Sequence, residues 1–145
     1  METTYNKLTP AQIAFFDKLK NYLDLPIYFF GSVQRIDYFN GSDIDVDIFT
    51  PNLNGTMLQM QNFLGADRTD FKKMVWTANN SPSSSPSFSL FPNSKTVIRG
   101  HKMMYKNEDN SIIVEFSIYD LKYKEIVLYE HITKCKLPWI ISFLL

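Results

Sequence analysis

Asp43 and Asp45 stand two residues apart in the run Ser42-Asp43-Ile44-Asp45-Val46-Asp47-Ile48-Phe49, and Gly31-Ser32 precedes Asp43 by eleven residues. Alternate residues of a strand point to the same side, so two acids at this spacing can hold hard divalent cations together. A Gly-Ser turn after the apolar run Tyr28-Phe29-Phe30 can offer backbone N–H groups and a hydroxyl to phosphate. The two features together make half of a site for a metal-bound nucleoside triphosphate. An EF-hand does not fit. With Asp43 as its first position, the sixth residue is Ile48 where Gly is needed and the twelfth is Asn54 where Glu is needed.

A third carboxylate is expected from a neighbouring strand. Glu115, in Val114-Glu115-Phe116, is the main candidate, and Asp120 is the rival. An ionised acid among apolar residues is costly unless it meets a cation or water. Asp47 shares the face of Asp43 and Asp45, as a helper of the site or as plain surface. Arg35, Lys72, Lys73, Lys95, Arg99, His101 and Lys102 are cations that could reach phosphate, and alternation puts Arg99 and His101 on one face.

Phe30-Gly31-Ser32, Asp43-Ile44-Asp45 and Val114-Glu115-Phe116, in that order and approximate spacing, resemble the nucleotidyltransferase superfamily related to DNA polymerase β. The resemblance implies a mixed sheet flanked by helices, with Gly31 and Ser32 gripping the triphosphate. It implies that Asp43, Asp45 and Glu115 hold two Mg²⁺ or Mn²⁺ ions while a nucleoside monophosphate passes from an NTP to a hydroxyl acceptor. ATP is the family's usual donor, and the acceptor is a nucleic acid, a protein or a small molecule. Three features depart from the family pattern. Val33-Gln34-Arg35-Ile36 lacks the Arg-x-Gly of many small bacterial members, the third acid is Glu rather than Asp, and no sizeable C-terminal helical domain follows. The alternative reading is a non-catalytic module of the same fold, for example an antitoxin-like partner.

The elements that must position these residues can be read from periodicity. Thr9-Pro10 is an N-cap with Pro at the first helical position, and the apolar spacing that follows predicts a helix over about 10–24. Strands are predicted at Ile27–Phe30 and Asp43–Phe49, the second with an acidic face and an apolar face. Pro51–Gly55 reads as a turn and Thr56–Leu64 as a helix. Thr96–Lys106 and Ser111–Tyr119 read as a hairpin, and Asp120 as the cap of a helix over roughly 121–134. Residues 79–94 hold seven Ser, three Pro and three Asn and read as a mobile loop. Trp76 and Trp139 read as core anchors, and Tyr119 as a packing residue or a platform for a base.

The 145 residues suffice for one α+β domain with a modest core. Net charge is zero but unevenly spread: residues 1–70 carry five basic and nine acidic side chains, residues 71–145 ten and six. Such a balance argues against an extended duplex-binding footprint. Cys135 is the only cysteine, which excludes an intrachain disulfide and a cysteine-built zinc site. With a polar start at Met1–Thr9 and no apolar run of membrane-spanning length, a cytoplasmic setting without membrane association is expected. The apolar tail Trp139–Leu145 could serve a homodimer or a protein partner.

Overall fold

A computed structural model describes residues 8–30, 43–65, 70–78 and 96–134, the side chains of 132–134 excepted. The first helix, α1 (Pro10–Leu23), begins at a reciprocal capping box. Gln12 N donates to Thr9 Oγ1 at 3.2 Å, and Thr9 N donates to Gln12 Oε1 at 3.0 Å. The two bonds satisfy donors that the helix start would otherwise leave orphaned. The Gln12 amide also donates to Ser111 O at 3.1 Å, tying α1 to a distant turn. Asp24, in the left-handed region at φ 56°, closes the helix with its N–H on Lys20 O.

Strands β1 (Tyr28–Phe30), β2 (Ile44–Thr50), β3 (Lys72–Ala78), β4 (Thr96–Lys106) and β5 (Ile113–Asp120) form one sheet in the order β1-β2-β5-β4-β3. The β2–β5 pair is parallel and the other three pairs are antiparallel, so the sheet is mixed. Helix α2 (Leu53–Leu64) follows β2, and a 3₁₀ turn (Leu121–Tyr123) leads from β5 into α3 (Lys124–Lys134). The architecture is α+β, a mixed five-stranded sheet flanked by helices. No helix among the described residues is long and apolar enough to cross a membrane.

The two faces of the sheet bury different things. On one, Ile44, Val46, Ile48, Val114, Phe116 and Ile118 pack with Phe16 and Leu19 of α1 and Met60 and Leu64 of α2. On the other, Phe49, Tyr119, Ile98 and Ala78 pack under Ile126 and Val127 of α3. This second cluster covers the ends of β2 and β5 that run into the helices. It leaves their starts, where the acids lie, to the other occupants of that face.

Two helix starts and one strand differ from the sequence reading. Helix α2 starts at Leu53 rather than Thr56, because Asn52 caps it through Gly55 N at 3.1 Å. The last helix begins as a 3₁₀ turn, with Asp120 Oδ1 accepting from Lys122 N at 2.9 Å. Strand β3 has no counterpart in the sequence reading. It is an edge strand with Lys72, Lys73, Val75 and Thr77 exposed, so its alternation is weak and its pairing comes from β4. The Ser/Pro-rich loop 79–94 and the apolar C-terminal tail lie outside the described residues.

Candidate active site

The register of the sheet lays the acids and their neighbours out in cross-strand rows. Phe30 of β1 pairs with Asp45 of β2, Asp45 with Glu115 of β5, and Glu115 with Met104 of β4. The next row runs Tyr28, Asp47, Ser117, Lys102 and Lys72, and crosses the whole sheet. Phe49, Tyr119, Gly100 and Met74 form a third row, under α3. Residues paired across strands share a face and stand about 5 Å apart between backbones. Asp45 and Glu115 are therefore immediate neighbours although seventy residues separate them in sequence. Asp43, exposed, immediately precedes β2. The rival acid Asp120 lies at the far end of β5, paired with Thr50 and engaged in capping the 3₁₀ turn.

Electrostatics follow from this crowding. Burial and the nearby carboxylates of Glu115, Asp43 and Asp47, in that order, push the Asp45 carboxyl from 3.8 up to about 6, and His131 opposes them. Asp47 is 5% exposed, and burial raises its pKa as well. A hydrogen bond of 2.9 Å joins Asp47 Oδ2 to Nε2 of His131 on α3. When Asp47 is ionised, the Nε2–H donates. The imidazole in turn stacks on Phe30, with ring centroids 3.9 Å apart and 17° between planes. Asp47 is thus held by α3 and belongs to the wall of the site, whereas Asp43, Asp45 and Glu115 remain at least partly open to water. Among the described residues, no three His, Cys, Asp or Glu side chains already converge around one point that could hold a metal ion.

On the far side of Glu115 from β1 there is a cavity of about 250 Å³, lined by Asp70, Lys72, Lys102, Met103, Met104 and Glu115. Lys72 and Lys102 are direct cross-strand partners on the acid-bearing face. Arg99 and His101 do share a face of β4, as alternation predicts, but it is the opposite one: His101 pairs with core-facing Ile118. Tyr119 is 4% exposed, stacks on Phe49 and accepts a hydrogen bond from Trp76 Nε1 at 3.2 Å. Burial pushes its phenol pKa up, and it offers no platform for a base. Trp76 is half-buried against the α3 cluster, close to the anchor role expected of it.

Gly31, Ser32, Arg35, Lys95 and Trp139 lie outside the described residues. In the sequence, His131 has no second ligand at metal-binding spacing, and no local signal marks it as the partner of Asp47. Lys102 is one of seven candidate cations there. Choosing it requires the β4–β5 register and the existence of β3. No protein-family model matches this chain, and no curated protein matches it.

Proposed function

We propose that the chain is a metal-dependent nucleotidyltransferase that moves a nucleoside monophosphate from an NTP to a hydroxyl acceptor. The observation that carries this reading is the pairing of Asp45 with Glu115. A site of this kind requires a third acid from a neighbouring strand, and Glu115 stands beside Asp45 on the same face.

The donor set fits hard divalent cations. Mg²⁺ and Mn²⁺ take carboxylate oxygens and water, and Asp43, Asp45 and Glu115 offer nothing softer. Burial first, and then the neighbouring carboxylates, raise the pKa of Asp45, and a bound cation would offset both. Asp43, Asp45 and Glu115 would hold two such ions, which supply charge neutralisation at the attacking and leaving oxygens.

In the reaction, the acceptor oxygen attacks the α-phosphorus and a new O–P bond forms. The bond from that phosphorus to its bridging oxygen breaks, and pyrophosphate leaves with the electron pair. Glu115 takes the proton of the acceptor hydroxyl. Gly31 and Ser32 would grip the β- and γ-phosphates. They follow Phe30, the partner of Asp45. Phe30 and His131 wall the β1 side of the acids, and the hydrogen bond from His131 keeps Asp47 from competing for the metal.

The test is thermal stabilisation by each NTP with Mg²⁺ or Mn²⁺, followed by pyrophosphate release with an acceptor panel. A ligand at a hundred times its Kd adds about 2.7 kcal/mol of stability. The expected result is a metal-dependent shift in the wild type and none in Asp43→Ala/Asp45→Ala. A shift without pyrophosphate release from any acceptor would favour the non-catalytic module, and no shift with any NTP would overturn nucleotide binding altogether.

A further inference from the structure

We infer that His131 is a positioning residue that selects which of two overlapping Asp-x-Asp pairs holds the cations, by taking Asp47 out of the ligand set. The inference rests on the metal-binding part of the nucleotidyl-transfer reading and deepens it at the same site.

The chain carries the same acid spacing twice in succession. Asp43-Ile44-Asp45 and Asp45-Val46-Asp47 each place two carboxylates two residues apart on one face. Asp45 belongs to both pairs. Glu115 is the cross-strand partner of Asp45, so as third acid it serves either pair. The acids by themselves therefore leave two registers for the cations, offset by about 7 Å along the strand. Only one register can serve a given bound nucleotide.

What distinguishes the pairs comes from outside the strand. Asp43 is exposed and stands just before Ile44, the first paired residue of β2. Asp47 is buried beneath α3, with its Oδ2 at 2.9 Å from Nε2 of His131. An ionised carboxylate only accepts, so the imidazole N–H is the donor. The ring that carries this donor is itself held. It stacks on Phe30 with centroids 3.9 Å apart, and Phe30 is the β1 partner of Asp45. The imidazole thus stands on the row of Asp45 and reaches into the row of Asp47. A cation that used Asp47 would have to break this bond and leave a buried donor unsatisfied, which is costly. The geometry closes the second pair and leaves Asp45 to be completed by Asp43.

The experiment measures binding of Mn²⁺ alone to the full chain and its variants, from the loss of the free-ion EPR signal. Asp43→Ala is expected to weaken binding by on the order of a hundredfold. Asp43→Ala/His131→Phe keeps a ring on Phe30 but removes the donor, which releases Asp47 to replace the missing ligand. That variant should regain on the order of tenfold in affinity over Asp43→Ala. Adding Asp47→Asn should abolish the gain. Asp43→Ala/His131→Gln, whose amide N–H can stand where Nε2–H stood, should bind as weakly as Asp43→Ala. A side chain that only supports the fold would not restore binding on its removal.

No gain in Asp43→Ala/His131→Phe, or a gain that survives Asp47→Asn, would overturn the inference. Unliganded melting temperatures show which variants are folded. If the double variant is not, His131→Phe is compared with the wild type. It should bind Mn²⁺ more tightly by on the order of tenfold, since a fourth carboxylate joins the set, and equal affinity would overturn the inference. The underlying reading fails separately. If the wild type takes up no Mn²⁺, or Asp43→Ala binds as the wild type does, the proposed acid set is wrong and the inference falls with it. If Asp43→Ala loses Mn²⁺ and removal of the His131 donor does not restore it, only the role of His131 is lost.

Discussion

At the scale of single residues, Asp45 carries the most information. Its carboxyl titrates near 6 rather than 3.8 because it is half-buried and faces Glu115 and Asp43. A carboxyl raised on folding contributes stability that is fully present below about pH 4 and is lost as pH rises through about 6. The protein without added metal is therefore expected to weaken over that window, and under the proposed function a divalent cation would compete with the proton for the same oxygens. A two-unit shift corresponds to about 3 kcal/mol at full value. Screening by water at this half-exposed position reduces it to on the order of 1 kcal/mol. Asp45→Asn is expected to gain about 1 kcal/mol over the wild type near pH 7.5 without metal and nothing below about pH 4. It should also lose stabilisation by Mn²⁺. Urea unfolding at the two pH values, with and without Mn²⁺, checks all three statements.

At the scale of elements, the position of Lys72 and Lys102 beside Glu115 depends on how closely β3, β4 and β5 approach. Gly100 of β4 permits that approach. A Cβ at this position would lie 2.8 Å from Ile118 O and 2.9 Å from Tyr119 Cδ1. A backbone carbonyl within a sheet cannot retreat as the end of a flexible side chain can. Gly100→Ala is therefore expected to cost about 1–3 kcal/mol. The urea midpoint should fall while the m-value is kept, since the denatured chain is nearly unchanged. An unaltered midpoint would show that β4 and β5 can separate by a few tenths of an ångström without loss. Helix α1 is secured differently, by local chemistry. Its capping box and Pro10 are legible in sequence because both partners lie within one turn.

At the scale of the whole molecule, β5 divides stability from chemistry residue by residue. Phe116 is fully buried between the sheet and the helices α1 and α2, whereas Glu115, its neighbour in the chain, faces the opposite side. A domain of this size is stable by only about 5–15 kcal/mol. Phe116→Ala is expected to cost about 3–5 kcal/mol and to reduce nucleotide stabilisation only through loss of folded protein. Glu115→Gln should leave the unfolding curve within about 0.5 kcal/mol of the wild type and abolish metal-dependent stabilisation. Denaturant unfolding in parallel with NTP thermal shifts separates the two. Charge is organised at this scale too. The acidic first half and the basic second half of the chain meet on one sheet face, with Asp43 and Asp45 at one side and Lys102 and Lys72 at the other.

What the sequence determined by itself is what short-range physics enforces. Alternation in Asp43–Phe49 put three acids on one face and three aliphatics on the other. Alternation in β5 did the same for Glu115 and Phe116, and Thr9-Pro10 specified a helix start. Those patterns name the acids of the candidate site, because period two in a strand is a local property. The tertiary structure alone decided which strands become neighbours. Parallel pairing of β2 with β5 brought Asp45 to Glu115, and α3 folded back so that His131 reached Asp47 across eighty-four residues. Recruitment of the weakly patterned β3 to the sheet edge set Lys72 opposite Lys102. Register between distant segments is fixed by burial of a shared core and by backbone pairing. Neither leaves a mark in the local spacing of side chains.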